Sequence, residues 1–181
     1  MPRLALLLTS FLACASPWMF AQHSDGYASS QGRTIKALSA EQVQDLLEGR
    51  GMGLSLPAEL NGSPGPLHVL QLREELHITQ GQVTDIERIR ADMVTTARRL
   101  GAAIIAKEEE LDAAFKGGQV SEADIQSMTA RVATLSGELR AAHLTAHLQT
   151  RRLLTPPQIA AYNAARGYAD VGTQALPAHR H

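Results

Sequence analysis

Two apolar stripes of helical period, separated by a pair of glycines, constrain this chain more than any other feature. Val83, Ile86, Ile89, Met93, Ala97, Leu100, Ile104, Leu111 and Phe115 follow one another at steps of three and four, broken only where Glu108 takes an apolar place. An α-helix turns once every 3.6 residues, so this spacing gathers all of them on one face, whereas a strand would scatter them to both sides. Gly117-Gly118 closes that run. Ile125, Met128, Val132, Leu135, Leu139, Ala142 and Ala146 then repeat the pattern. The first helix alone is on the order of 55 Å long at about 1.5 Å per residue. Two such helices joined by a tight glycine turn bury their stripes by packing antiparallel, and the expected centre of the molecule is a long helical hairpin.

Capping residues set the boundaries of this hairpin and of the shorter helices around it. Thr79 with Gln82 three positions on, and Thr155 with Gln158, each form a capping box, in which the hydroxyl and the glutamine side chain satisfy amides that a helix start leaves without partners. Ser121, followed by the acids Glu122 and Asp124, starts the second long helix. Pro156 is suited to the first turn after Thr155, and Gly167 ends that last helix near Arg166. Upstream, Ser39 and Gln42 predict a short helix through about Glu48, stopped by Gly49, Gly51 and Gly53. No Gly-Lys-Ser/Thr follows these glycines and no strand precedes them, so they read as a helix stop rather than a phosphate loop. Residues 57–66 read as a loop, with Asn61-Gly62 and Pro64-Gly65-Pro66 as turn signals. A second short helix is expected over residues 67–76, with Leu67 and Leu70 inward and Val69 a further candidate. The fold class is all-α, a long antiparallel hairpin flanked by short helices, in one domain over residues 38–168. Aromatic residues are only 4% of the chain, consistent with long helices packed through aliphatic stripes.

The chain begins with the pattern of an export signal. Arg3 supplies a positive charge, residues 4–13 are almost wholly apolar, and small residues follow at Ala13, Ala15 and Ala21. The run is too short to span a bilayer, which takes about 20 apolar residues. Cleavage is placed near residue 15 or near residue 21. Cys14 is the only cysteine, so a chain cut beyond it forms no disulfide. Lipoprotein anchoring at Cys14 is a minor alternative to a soluble periplasmic product, because Phe11 stands where such processing sites usually carry leucine. Residues 22–37 are polar and without apolar period, a flexible leader, and residues 169–181 read as a disordered tail.

The formal net charge of −1 excludes the strong positive field of a dedicated nucleic-acid binder. No GxSxG, HExxH, phosphate loop or strand–helix alternation occurs, and no arrangement of Ser, His and Asp is recognisable, so an enzyme is not expected.

Ile78-Thr79-Gln80-Gly81-Gln82 and Leu154-Thr155-Pro156-Pro157-Gln158 bracket the hairpin behind the export signal. These two pentapeptides resemble the LTxxQ repeats of the Spy/CpxP family of periplasmic proteins. The first departs mildly, at Ile78, and the second matches in full; the likeness extends over roughly residues 38–168. Residues 58–62 and 65–70 also look like the entry region of relatives known as periplasmic heavy-metal sensors. The resemblance implies a bent four-helix subunit that pairs into a thin, cradle-shaped homodimer. It implies a chaperone that works without ATP on unfolded or misfolded envelope proteins, an envelope-stress regulator acting with a membrane sensor protein, or a metal-binding resistance accessory.

The residues add their own support for a surface that takes a partner. A single hairpin cannot bury both faces of two long helices: Val94 and Ile105 lie beside the first stripe, and Leu144 and Leu148 point away from the second. Folding the hairpin about residue 118 brings Arg88 and Arg90 towards Arg151 and Arg152, and Arg98 and Arg99 towards Arg140, while Glu108, Glu109, Glu110 and Asp112 gather at the tip. Leu144, Leu148, Arg98, Arg99 and Arg140 are the candidates for client contact, an apolar and basic surface suited to weak, salt-sensitive binding. His143 and His147, four apart on one helix face, are candidate metal ligands, with Asp92 and Met93 roughly opposite on the folded hairpin. Only two ligands are clearly paired, short of the three or four that a zinc site takes, and Arg90 stands nearby. No cofactor is required; zinc, copper or nickel are the metals such a pair would take.

Overall fold

A computed structural model describes Tyr27 and residues 30–168. The expected export signal with Cys14, residues 22–26, 28 and 29 of the polar leader and the tail over residues 169–181 lie outside the described residues. The chain divides into residues 1–32 and 33–181. Of the first, only a short turn is described, in which Ser30 N–H donates to Tyr27 O (3.0 Å).

The regular elements described within residues 33–168 are all α-helical: α1 (Ala40–Glu48), α2 (Leu56–Glu59), α3 (Pro66–Gln71), α4 (Gln80–Gly117), α5 (Glu122–Leu153) and α6 (Pro156–Arg166). The long hairpin is α4 and α5. It turns where the sequence places the turn, with Gly118 in the left-handed conformation at φ 72°. A residue with a Cβ is strained in that conformation, and glycine is not. The starts of α1 and α4 carry the expected capping boxes: Ser39 Oγ accepts from Gln42 N–H (3.1 Å) and Thr79 Oγ1 from Gln82 N–H (3.2 Å). Ser121 and Asp124 form a third at the start of α5.

The stripes are buried as two cores spaced along the hairpin. In the first, Leu46 of α1 joins Ala97, Leu100 and Ile104 of α4 and Leu135 and Leu139 of α5. A notch of small residues lets α1 lie this close. Ala97 is fully buried, and a Cβ built on Gly101 would overlap the Leu46 carbonyl. In the second core, at the open end, Val69 and Leu76 meet Ile86 of α4, Leu154, and Ile159 and Tyr162 of α6.

The two threonine–glutamine boxes meet at the open end. Gln82 Nε2 donates to Gln158 Oε1 (2.9 Å) and to Leu153 O at the end of α5 (2.7 Å). Gln158 Nε2 donates back to Gln82 Oε1 (3.1 Å) and to His77 O (3.4 Å). Each oxygen also accepts from the backbone N–H of its own capping threonine, at 3.0 Å for Thr79 and 2.9 Å for Thr155. Every amide hydrogen of both glutamines is used. Two motifs 76 residues apart in sequence therefore form one hydrogen-bonded clasp across the open end of the hairpin.

Four local expectations are corrected. Residues 57–66 are not loop throughout, because Pro57 sits in the first turn of α2, where its fixed φ suits a helix start. The helix expected over residues 67–76 stops at Gln71; Val69 is buried and Leu70 packs half-buried against the second core, as expected, but Leu67 is 42% exposed, and the fully buried leucine of this stretch is Leu76. The leader is anchored at its end: Ile35 is 4% exposed, and Lys36 N–H donates to Asp112 Oδ1 (3.3 Å). One apolar residue in a polar stretch has no period and leaves no pattern to read. Finally, Phe115, a member of the first stripe, is 57% exposed, because none of the described short helices reaches the tip to cover it.

The clasp yields a direct expectation. Gln82→Ala and Gln158→Ala should each lower the unfolding free energy by about 1–3 kcal/mol, since each strands part-buried groups. The double variant should cost clearly less than the sum of the two, as expected for partners in one network. Urea denaturation of the three variants measures this, and strict additivity would show that the two motifs act separately.

Candidate functional site

His143 and His147 come from successive turns of α5 and face the segment that carries α2 and α3. Both are buried. His147 Nδ1–H donates to Ser63 O (2.8 Å), which fixes the hydrogen on Nδ1 because a carbonyl can only accept. Its ring lies so close to Gly65 that a Cβ there would meet ring atoms. His143 is 3% exposed, and its Nε2 has no hydrogen-bond partner. Burial, and then the neighbouring His147, hold the His143 imidazole below its ordinary pKa of 6.5.

Glu59 is the carboxylate that the fold brings to these histidines. Its Oε2 lies 3.6 Å from His147 Nδ1 and accepts from Gly65 N–H (3.1 Å). Its Oε1 accepts from the hydroxyls of Tyr162 and of Tyr168, the latter at 3.0 Å. Burial, and then the bond to Glu59, push the Tyr162 hydroxyl far above its usual range, so it remains a donor. Arg166 Nε approaches Glu59 at 3.8 Å, and its guanidinium lies over the Tyr168 ring, 5.6 Å from the centroid. A buried carboxylate is tolerated only when its lone pairs are satisfied in this manner. The hub ties α2, the start of α3, α5 and α6 together. Sequence reasoning missed it: Glu59, Tyr162 and Tyr168 belong to no local motif, and the hub's members are up to 109 residues apart.

Above the histidines lies a groove of about 840 Å³ between the α1–α3 segment and the hairpin. Met52, Leu56 and Leu67 form one wall and Met93 and Val94 of α4 the other, with Arg50, Arg90, Arg98 and Arg166 around them. Arg98 Nε donates to Glu48 O (3.3 Å), and Arg50 pairs with Asp45 and Glu48. Among the described residues Arg90 has no ion-pair or hydrogen-bond partner.

The residues singled out from sequence are distributed as follows. Asp92 does not join the histidines. It stands 4.0 Å from Arg88 and lines a second, smaller groove between α4 and α5, together with Arg99. Met93 does reach the histidine groove. Among the described residues no group of three or more His, Cys, Asp or Glu is placed to hold a metal ion. Of the client-contact candidates, Arg98 lines the first groove and Arg99 the second. Arg140 and Leu148 are exposed on α5 outside both grooves, and Leu144 is half-buried. Arg151, expected to face Arg88 and Arg90, instead donates to Gly62 O. Thr79, Gln82, Thr155 and Gln158 form the clasp described above.

Protonation of His143 carries a sign that can be checked. Its folded-state pKa is depressed, so the unfolded chain takes up the proton first. The contribution to stability is complete above pH 6.5 and is lost as the pH falls from there towards the folded-state value. Unfolding curves of the wild type and of His143→Leu, measured from pH 8 to about pH 5, should converge in pH dependence at the alkaline end and diverge below it, with the wild type falling more steeply. Parallel profiles would mean that His143 is not held neutral by the fold.

Neither the curated proteins nor the solved structures contain a match to this chain. The sequence model described as LTXXQ motif family protein matches residues 67–166, from the start of α3 to the end of α6. That span is more than half of the chain and contains both halves of the glutamine clasp, the hairpin and both histidines. With its two threonine–glutamine motifs locked together at the open end of a helical hairpin, the chain belongs to the LTXXQ motif family.

Proposed function

We propose that this chain is an exported periplasmic protein of the envelope-stress class, a chaperone that holds unfolded envelope proteins on its helical hairpin without ATP, working as a homodimer. The observation that carries this reading is the mismatch between the length of the apolar stripes and the length of their cover. The two cores account for the stripes up to Ile104 and Leu135. Beyond them, Leu111, Ile125, Met128 and Val132 are only half-buried and Phe115 is exposed. Contiguous apolar surface of this kind on a helix pair is a docking surface for another chain. Arg99, Arg140 and Leu148, exposed along the same hairpin, supply the basic and apolar character that suits weak contact with many sequences. Family membership supports a stress-related role of this general kind. No catalytic step is part of this reading.

The test is suppression of aggregation of a chemically unfolded client by the purified mature protein. Phe115→Glu combined with Leu148→Glu and Arg140→Glu should raise the concentration needed for half-suppression by roughly tenfold, equivalent to about 1.4 kcal/mol, with the helical circular dichroism unchanged. Suppression that survives these changes would remove the hairpin as the client surface, and a monomer in analytical ultracentrifugation would remove the dimer.

Calorimetric titration with zinc, copper and nickel separates this reading from that of a metal-binding resistance accessory. On the reading proposed here, no metal binds with micromolar affinity. Uptake at that affinity, lost in the His143→Ala/His147→Ala variant, would replace the chaperone with the accessory.

A further inference from the structure

We infer that the groove over His143 is a binding site for a long-chain carboxylate, a single anionic head on a flexible apolar tail. This inference stands apart from the client surface, since Phe115, Arg99, Arg140 and Leu148 are not in the lining of this groove.

Three observations meet in this place. The first is shape: about 840 Å³ falls within the range of small-molecule sites, roughly 300–1,000 Å³. The second is the lining. Met52, Leu56 and Leu67 are large apolar side chains left exposed on one lip, facing Met93 and Val94. Two of these five are methionines, whose unbranched chains adapt to a flexible apolar guest. The third is unsatisfied polarity of one sign. Glu48 is paired with Arg50, and the Glu59 carboxylate is already surrounded by hydroxyl, amide and guanidinium donors. Among the described residues Arg90 has no ion-pair partner, and the hydrogen bond that Arg98 makes is to a neutral carbonyl. In the same lining, His143 Nε2 is buried without a partner.

An unpartnered buried nitrogen carries a cost that a ligand oxygen or hydroxyl would relieve. A guanidinium offers a planar fork matched to a carboxylate. The two together call for a head that is small, anionic and able to hydrogen-bond, and the exposed lip calls for a hydrocarbon tail. A cationic amphiphile would meet Arg50, Arg90, Arg98 and Arg166. A neutral one would leave Arg90 unpaired.

The experiment is isothermal titration of the full chain with laurate below its micellar concentration, beside dodecyl maltoside as the same tail without charge and acetate as the head without a tail. One laurate should bind per chain, at least about tenfold more tightly than either control. Arg90→Gln should weaken it by about tenfold, the loss expected for one charge-assisted bond. Leu56→Asp, on the exposed lip, should weaken it comparably by placing a like charge beside the tail. Circular dichroism confirms that these surface variants are folded. Absence of saturable laurate binding overturns the inference, as does equal affinity for the maltoside. Affinity indifferent to both substitutions does the same, since laurate would then be held elsewhere.

Discussion

The paired amides of Gln82 and Gln158 are the interaction on which the arrangement of this molecule depends. A helical hairpin is held together by its turn at one end and is free to splay at the other. Here the free end is fastened by two side chains that each cap their own helix and bond to the other's. Because Gln82 also holds the last carbonyl of α5, that of Leu153, the start of α4, the end of α5 and the start of α6 are fixed to one another at a single point. The bonds are part-buried and each is worth only about 1 kcal/mol net. Their effect is larger than their energy, because they set direction: α6 has to run back across the open end, which delivers Ile159 and Tyr162 into the second core.

From that placement the rest of the candidate site follows. Tyr162 carries its hydroxyl to Glu59, and Glu59 in turn holds the Gly65 amide at the start of α3. His147, bonded to Ser63 O, packs against Gly65, where any side chain would collide with the ring. The α2–α3 part of the chain is thereby fixed to α5 and α6. What remains between the α1–α3 segment and the hairpin is the groove, with an apolar lip, an unpaired arginine and a histidine nitrogen without a partner. A polar network this deep is satisfied almost throughout, and among the described residues the exception is the buried Nε2 of His143, a residue in the lining of the groove.

The two ends of the hairpin have opposite economies of burial. At the open end short helices, loop and clasp cover the stripes. At the tip the stripes continue, and among the described residues the segment around Lys36, bonded to Asp112, is what meets them. Amphipathic helices of this length gain most of their stability from packing of the apolar face, and at the tip that face is only partly packed, with Phe115 exposed.

Much of this molecule is determined by sequence alone. The stripes, the glycine turn and the threonine–glutamine boxes are local features, each completed within a few residues, and they place the hairpin, its ends and the flanking α1 and α6. The pairing of Asp92 with the histidines could not be read in that way. Facing helices bring residues to the same height, yet which side of the hairpin each side chain takes depends on rotation about both axes, and Asp92 turned to the other groove. Nor could the roles of Glu59, Tyr162, Tyr168 and Ile35 be read, since none has a period or a motif. Their places were decided when distant segments packed, because a buried carboxylate must find donors wherever the folded chain can supply them.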